Sequence, residues 1–284
     1  ELPPASHGAA RRVKTAVEME RLEGLHKALL QFPEGFEIHP KLIKGLERRR
    51  AAFDSPGGPT VDWATAEGLA FASILADGIA IRLTGQDVKR GTFSHRHAVY
   101  RDAGTGRTLI PLQELPQARA AFEIHNSPLS EAAAVAFEYG YNVQAPGRLV
   151  VWEAQYGDFI NNCQAAIDEF ILSARAKWGL TPSLVLLLPH GYEGAGPDHS
   201  SARVERFLEL ATDFNVRIAN PTSAAQYFHL LRRQSILLTT DPLPLIVLTP
   251  KSLLRHPAVA SAPRDLAEGG WEPILQDTEA LARA

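Results

Sequence analysis

The sequence predicts an α/β fold in which a parallel sheet is flanked by helices. From Val61 onward, short apolar segments typical of strands alternate with alanine-rich or amphipathic helical segments, as a parallel sheet covered on both faces requires. The unusual polar segments follow the strands, and ligands of such sheets bind beyond the carboxyl ends of the strands. The composition agrees with a globular domain, because 45% of the 284 residues are hydrophobic and 21% are charged.

Residues 1–58 are polar and interrupted by prolines, and we expect a helical linker segment there, with helices over residues 11–31 and 41–53. The net charge of −3 indicates no attraction of the whole chain for nucleic acid or anionic membrane. A basic run in the second helix is therefore interpreted as a solvated helix face. It consists of Lys41, Lys44, Arg48, Arg49 and Arg50.

The cysteine content and the termini limit the class of protein. Cys163 is the single cysteine, which excludes an internal disulfide and is typical of a reducing compartment. No apolar run approaches the roughly 20 residues that cross a bilayer. The chain begins at Glu1 rather than at a methionine, and we interpret this as an internal cut in a longer protein.

The pattern after residue 58 predicts the order of strands and helices. Strands are expected over residues 79–83, 122–124, 149–152, 184–188, 216–219 and 245–248. Helices are expected over residues 63–75, 131–139, 161–177, 201–214 and 224–233. Ser223 and Gln226 have the spacing of a capping box at the start of the last helix.

Two histidines follow the first strand of the sheet. His95 and His97 are two residues apart, so on an extended chain they share a face and could bind a metal ion. No third ligand is evident nearby, whereas metal sites usually use three or four. Polar packing within a loop is therefore the favoured interpretation.

Three other segments combine polar and aromatic side chains. Glu131 lies in the first turn of a helix, where a carboxylate normally just complements the helix dipole. Tyr156 and Phe159 flank a glycine after a strand, and they either pack in the core or offer a surface on which a ring can stack. His190 and His199 occupy a turn-rich loop before a helix, which suits proton transfer near an anion.

Seven segments, taken in order, resemble the thiamine-diphosphate-dependent 2-oxo-acid dehydrogenases, and specifically those of the 2-oxoglutarate type. They are GQD at 85, RGTFSHRH at 90, SPLSE at 127, FEYGY at 137, WEAQYGDF at 152, LPHGYEG at 188 and PKSLLRH at 250. The resemblance covers about residues 60–260. It implies a transketolase-like pyrimidine-binding domain over residues 59–240 and the start of a transketolase-type C-terminal domain over residues 241–284.

The resemblance also implies roles for individual residues. Glu131 matches the catalytic glutamate that hydrogen-bonds the aminopyrimidine ring of thiamine diphosphate and favours its imino tautomer. His199 matches a catalytic histidine that transfers a proton to the intermediate or to a lipoyl group. The implied cofactor-binding residues are Gln86, Gln155, Tyr156 and Phe159, and the two aromatic rings are candidates for packing on the pyrimidine.

One part of the family's site has no counterpart in this sequence. The family holds the diphosphate and magnesium through a Gly-Asp-Gly motif and a later asparagine, and Gly-Asp-Gly does not occur here. Gly157-Asp158-Phe159 is not that motif. Magnesium needs several oxygen ligands, so we expect its ligands, and the histidines that bind the substrate carboxylate, outside this chain.

The implied activity is the oxidative decarboxylation of 2-oxoglutarate in the tricarboxylic acid cycle, with succinyl transfer to the lipoyl groups of a partner acyltransferase. A homodimer is implied as well, located in the cytoplasm of a bacterium or in the mitochondrial matrix. 2-Oxoadipate dehydrogenases and non-oxidative 2-oxoglutarate decarboxylases share these motifs and are the alternative enzymes. A non-catalytic interaction module is the alternative of a different class.

Overall fold

The strands of the chain form one large sheet and one small ribbon in the computed structural model, which describes residues 13–193, 196–212 and 214–276. The strands are β1 (Ile81–Gly85), β2 (Tyr100–Arg101), β3 (Thr108–Leu109), β4 (Phe122–Asn126), β5 (Leu149–Glu153), β6 (Val185–Pro189), β7 (Arg217–Ala219) and β8 (Leu245–Thr249). Six of them form a parallel sheet in the order β4-β1-β5-β6-β8-β7, and β2 pairs with β3 antiparallel. The predicted parallel sheet flanked by helices is therefore confirmed.

Helices cover both faces of this sheet. They are α1 (Met19–Leu29), α2 (Pro40–Arg50), α3 (Trp63–Ala76), α4 (Glu131–Gln144), α5 (Gln164–Ala166), α6 (Ala174–Trp178), α7 (Val204–Leu210), α8 (Ala224–Ile236) and α9 (Pro263–Glu268). Successive residues of β5 point to opposite faces: Val151 packs in the core formed with α3 and α8, whereas Trp152 packs in the core formed with α4 and α7. Because both faces of the central strands are buried, their sequences read as continuous apolar runs.

The prediction of one continuous helix over residues 161–177 is wrong. The chain instead forms a 3-10 helix over Gly157–Cys163, the short α5, a π-helical turn over Ile167–Ile171 and α6. Polar side chains compete there with the backbone hydrogen bonds of a regular α-helix. The Ser173 hydroxyl donates to the carbonyl oxygen of Asp168, and the Gln164 amide donates to the Asp168 carboxylate at 2.6 Å. The helical spacing of the apolar residues continues through these segments, and for this reason the sequence pattern predicted a single helix.

One helix and one predicted capping box also differ from the prediction. The helix expected over residues 201–214 is confined to α7, because Arg203 has a left-handed backbone (φ 54°) that a helix cannot include; residue 213 lies outside the described residues. At the start of α8, the Ser223 hydroxyl accepts from the backbone N–H of Gln226 at 3.3 Å, as predicted. The Gln226 side chain does not complete the capping box, because it bonds to the backbone of Gly270 and Glu272 instead.

The described part of the N-terminal segment packs against the rest of the chain. Leu22 and Leu25 of α1 are buried in the core that contains α3, and the Thr15 hydroxyl lies 2.8 Å from Nδ1 of His229 in α8. The helix predicted from residue 11 begins at Met19, and residues 1–12 lie outside the described residues. These contacts favour a domain that includes more than the predicted range 59–240.

The division predicted at residue 240 falls just before β8, which pairs with β6 on one side and β7 on the other. The sheet therefore continues across that position. Residues 277–284 of the predicted C-terminal region lie outside the described residues. The exact boundaries remain predictions, and the sheet favours a boundary later than 240.

Candidate functional site

The chain segments that follow the strands meet at one edge of the sheet. β1, β4, β5, β6 and β8 are parallel, so their carboxyl ends lie at the same edge. Residues 86, 127–131, 154–163, 190–193 and 250–252 all follow directly from those ends. This is the edge at which ligands bind in open parallel sheets.

Glu131 is the first residue of α4, and two amide groups hold its carboxylate. Its Oε1 accepts a hydrogen bond from Gln86 Nε2 at 2.9 Å, and its Oε2 accepts a longer one from Asn162 Nδ2 at 3.5 Å. The side chain is only half-buried, and the Ser130 hydroxyl caps the helix beside it. The protein therefore orients the carboxylate and leaves it accessible to a ligand. A carboxylate that only complemented the helix dipole would need neither of the two amide groups.

Glycine at position 85 allows β1 and β5 to end side by side. Gly85 has a φ of +144°, and a Cβ at this residue would overlap the carbonyl oxygen of Glu153. Gln86 leaves β1 directly after this close approach and reaches the start of α4. A side chain at residue 85 would therefore move the amide that holds Glu131.

The 3-10 helix Gly157–Cys163 connects the two halves of the site. Asn162, near its end, contacts Glu131, while Phe159, near its start, contacts the ring of His199 at a centroid distance of 5.4 Å. A Cβ at Gly157 would lie 2.6 Å from both the Ala202 Cβ and the Pro189 carbonyl oxygen. Glycine thus lets this segment lie against the end of β6.

Two aromatic rings contact His199, and a third packs against one of them. Tyr156 stands edge-on to the imidazole at 4.6 Å and lies 5.7 Å from Phe159. Phe93 packs edge-on against the outer side of Tyr156 at 5.7 Å. Tyr156, Phe159 and His199 are each half-buried, so parts of their rings remain open to a ligand. The structure thus brings together the two aromatic residues and the histidine that the sequence singled out.

Two charged groups fix His199 in this cluster. Its Nδ1 lies 2.8 Å from the Asp198 carboxylate, and the imidazole lowers the pKa of that carboxyl. The buried Lys251 donates a hydrogen bond to the carbonyl oxygen of His199 at 2.7 Å and lies 6.0 Å from the centre of the Tyr156 ring. An imidazole with an adjacent carboxylate can accept, hold and release a proton.

Gln155 and His190 make different contributions from those of the other predicted residues. Gln155 is half-buried at the end of β5, and its side chain makes no hydrogen bond to the described residues. His190 Nδ1 accepts a hydrogen bond from the backbone N–H of Ala202 at 3.0 Å. Burial and, second, the charge of Lys251 lower the pKa of His190, so its neutral ring serves as a fixed acceptor within the loop.

Of the two histidines considered as metal ligands, His95 is the buried one. The buried His95 ring lies against Gly91, where a Cβ would approach its Cε1 to 2.5 Å. Burial and, second, the charge of Arg96 lower the pKa of His95 to about 4. Among the described residues, no group of three His, Cys, Asp or Glu side chains is close enough to hold a metal ion. The His95 ring packs against Gly91 and lies 6.4 Å from the Phe93 ring, both in the same loop.

A buried ionic cluster lies behind the site. Arg96 Nε is 2.5 Å from Glu67 Oε1, its Nη1 is 3.0 Å from Glu153 Oε1, and the Tyr227 hydroxyl donates to Glu67 at 2.7 Å. Burial opposes the charge of Arg96, but the two carboxylates raise its pKa well above the usual value. Arg96 therefore anchors Glu153, the last residue of β5, and with it the start of the segment that carries Tyr156 and Phe159.

The sequence analysis did not identify four residues of the site: Phe93, Asn162, Cys163 and Lys251. Burial and, second, the charge of Glu131 raise the pKa of the Cys163 thiol to about 12, so Cys163 packs beside Glu131 as a neutral thiol and not as a nucleophile. Lys251 could have been predicted from the sequence, because it follows a strand just as the other site residues do. Asn162 was not, since its contact depends on the unexpected 3-10 helix.

No helix among the described residues combines the length and the apolar character needed to cross a membrane.

Comparison with known proteins places this site in a family. Residues 59–257 match the family described as the transketolase pyrimidine-binding domain. The chain is 57% identical over 265 residues to the 2-oxoglutarate dehydrogenase E1 components of Bacillus anthracis (strain A0248), Bacillus cereus (strain AH187) and Bacillus cereus (strain B4264). Those residues are 93% of this chain but 28% of each relative, so the chain spans just over a quarter of the length of these relatives. Because the family match covers more than half of the chain, the chain belongs to the family of transketolase-type pyrimidine-binding domains.

Proposed function

We propose that this chain supplies the half-site that activates the aminopyrimidine of thiamine diphosphate during the oxidative decarboxylation of 2-oxoglutarate. The observation that carries the proposal is the half-exposed Glu131 carboxylate held by Gln86 and Asn162 at the carboxyl edge of the sheet. The names of the similar Bacillus proteins support the substrate and the reaction.

The described residues fit the pyrimidine end of this cofactor. The oriented carboxylate of Glu131 can bond a ring nitrogen, and the partly open rings of Tyr156 and Phe159 offer flat apolar surfaces. When bound, the cofactor would supply the electron sink that lets carbon dioxide leave. Gln86 and Asn162 orient the carboxylate of Glu131, so that it would exchange a proton with a bound ring at a fixed place.

His199 is the proposed proton carrier on the opposite side of the site. The Asp198 carboxylate lies 2.8 Å from its Nδ1, Lys251 donates a hydrogen bond to its carbonyl oxygen, and Tyr156 packs edge-on against its ring. A histidine so held can deliver a proton to the substrate or to an incoming acyl acceptor without reorienting.

Thiamine diphosphate binding by this chain alone is expected to be weak. The proposed ligands for magnesium and the diphosphate lie outside this chain, and the anionic half of the cofactor contributes much of its binding energy. At the Glu131 site we therefore expect no saturable binding at micromolar concentrations in isothermal titration calorimetry of the 284-residue chain, with or without magnesium. A micromolar isotherm that disappears in Glu131→Gln would contradict this expectation.

We also propose a homodimer, with the cofactor bound between subunits. Two large apolar side chains are exposed on and just before α4: Leu129, two residues before Glu131, is 87% exposed, and Phe137, in the middle of the helix, is 59% exposed. Apolar surface of this kind beside a binding site is typical of an interface. The proposed interface runs across the helices at Glu131 and Asn161.

Self-association of the chain is expected as a consequence. Sedimentation velocity at tens of micromolar should show a dimer, and Phe137→Glu should convert it to a monomer because a charge on the exposed apolar surface opposes its burial. Leu208→Glu is the matched control, since Leu208 is equally exposed at 59% on α7. A strict monomer, or equal effects of the two substitutions, would refute the proposed interface.

The substrate assignment is tested by kinetics of a full-length enzyme that contains this chain. We expect kcat/KM to be highest for 2-oxoglutarate, compared with 2-oxoadipate and pyruvate. Transfer of the succinyl group to a lipoyl-bearing domain distinguishes a dehydrogenase component from a non-oxidative decarboxylase, which would release succinic semialdehyde. A clear preference for 2-oxoadipate, or release of the free aldehyde alone, would replace the proposed function.

The proposed partner is the lipoyl-bearing succinyltransferase of a 2-oxoglutarate dehydrogenase complex. This follows from the E1-component name of the similar proteins, because an E1 component acts with an acyltransferase. Their bacterial source favours the bacterial cytoplasm over the mitochondrial matrix as the location of this protein.

A further inference from the structure

A second cleft lies away from Glu131, between α2 and the turn that contains His95 and His97. Its volume is about 540 Å³, which is within the usual range for small-molecule sites. The basic run of α2, expected to be a solvated face, supplies one wall of this cleft through Lys41, Arg48 and Arg49. Arg255, which follows β8, lies on the opposite wall. We call this feature the basic cleft.

Two arginines of the basic cleft are fixed by main-chain carbonyls instead of carboxylates. Arg49 donates to the carbonyl oxygens of Arg96, at 3.2 Å, and His95. Arg255 donates to the carbonyl oxygens of Phe93 at 2.5 Å and Ser94 at 2.8 Å. Within residues 13–193, 196–212 and 214–276, neither guanidinium forms an ion pair with a carboxylate. Their positive charges are therefore held in place without being neutralised.

The other charged groups of the basic cleft add to this excess. Lys41 and Arg48 are exposed at its edge. Asp62 is the acidic residue among the described residues that line it, and its carboxylate already caps α3 by accepting from the backbone N–H of Thr65 at 2.8 Å. Four cationic side chains thus face one carboxylate in a concave site. Such an arrangement focuses a positive potential and attracts anions.

We propose that the basic cleft is a binding site for a phosphate-bearing ligand of the diphosphate class. Guanidinium groups bind phosphate oxygens in pairs, and preorganised arginines lose little entropy when they do so. A diphosphate has enough oxygens to contact Arg255 on one wall and the three α2 cations, Lys41, Arg48 and Arg49, on the other. This site is separate from the one built around Glu131, and it does not depend on the function proposed above.

The basic cleft is adjacent to the first site. Leu254 and Arg255 also line a cavity of about 380 Å³ that contains Phe93 and Tyr156. Arg255 holds the carbonyl oxygen of Phe93, and the Phe93 ring packs on Tyr156. A ligand that contacts Arg255 is therefore linked through Phe93 to the ring of Tyr156, which packs against His199.

The test uses calorimetry of the 284-residue chain with inorganic pyrophosphate as the probe. Separate titrations with ADP, thiamine diphosphate and citrate distinguish a free diphosphate, a nucleotide, the cofactor and a non-phosphate anion. One test variant is the double substitution Lys41→Gln and Arg48→Gln, which changes two exposed side chains; a second is Arg255→Gln. The matched control is Lys44→Gln with Arg50→Gln, because these residues are exposed on α2 and do not line the cleft.

The expected result is saturable pyrophosphate binding that is at least about tenfold weaker in either test variant, since each charge-assisted hydrogen bond lost costs about that factor. The control variant should bind as the unchanged chain does. Equal weakening in test and control variants, absence of saturation, or citrate binding as tight as pyrophosphate binding would each overturn the proposal. Any thiamine diphosphate isotherm lost in the cleft variants but kept in Glu131→Gln comes from this cleft.

Discussion

Replacement of Glu131 by Gln in a full-length enzyme that contains this chain should lower kcat by at least about 100-fold, the lower end for removing a proton-transferring group. The substitution keeps the shape of the side chain and its helix position, but the amide cannot exchange a proton with a ring nitrogen. Steady-state turnover with 2-oxoglutarate measures the effect.

Two comparisons separate this chemical effect from disturbance of the fold. Glu209→Gln changes an exposed glutamate of α7 and should leave kcat unchanged. Gln86→Ala removes one of the two amides that orient Glu131 and should have an intermediate effect. Near-normal turnover of Glu131→Gln would remove the basis of the site assignment.

Replacement of Arg96 by Met should lower the free energy of unfolding of the chain by about 3–5 kcal/mol, because removing one partner leaves buried charge uncompensated. Glu67 and Glu153 are both buried, and each forms an ion pair with Arg96. Chemical denaturation monitored by circular dichroism measures the loss.

Arg90→Met is the matched control for the buried cluster. Arg90 pairs with Asp87 at 3.2 Å, but the two side chains are 52% and 47% exposed. A surface ion pair of this kind contributes about 0–1 kcal/mol. Equal losses in the two variants would mean that the cluster of Arg96 does not hold the end of β5 in the way described.

The sheet could be predicted from the sequence because its central strands are buried on both faces. Residues 149–152, 184–188 and 245–248 form unbroken apolar runs, and each of these runs coincides with a strand to within one residue at either end. The order of those strands in the sheet could not be predicted in the same way. It depends on the side of the preceding strand on which each new strand is added after its crossover helix.

The region after β5 could not be predicted, because its conformation depends on contacts made far along the chain. Gly157 lies against Ala202 and the end of β6, and this contact places a 3-10 helix where the periodicity indicated an α-helix. The spacing of apolar residues indicates which face of the segment packs against the core. It does not indicate the local hydrogen bonds of Ser173 and Gln164.

The candidate site was predictable where its residues lie in contiguous motifs, as Glu131 and Tyr156 do. Its supporting groups come from separate segments. Arg96 and Glu67 are 29 residues apart, and Lys251 and His199 are 52 residues apart. The fold must be known before such pairs can be recognised. For the same reason the basic run of α2 was read as a solvated face, although the turn after Phe93 closes a cleft against it.

The most direct test of the proposed role of Glu131 is the exchange of the thiazolium C2 proton of bound thiamine diphosphate for deuterium. This measurement follows activation of the cofactor itself, whereas turnover can be limited by later steps such as product release. Rapid-quench proton NMR of a full-length enzyme that contains this chain should give an exchange rate at least about 100-fold lower in Glu131→Gln than in the unchanged protein. Equal exchange rates in the two proteins would contradict the assignment of the activating carboxylate to Glu131.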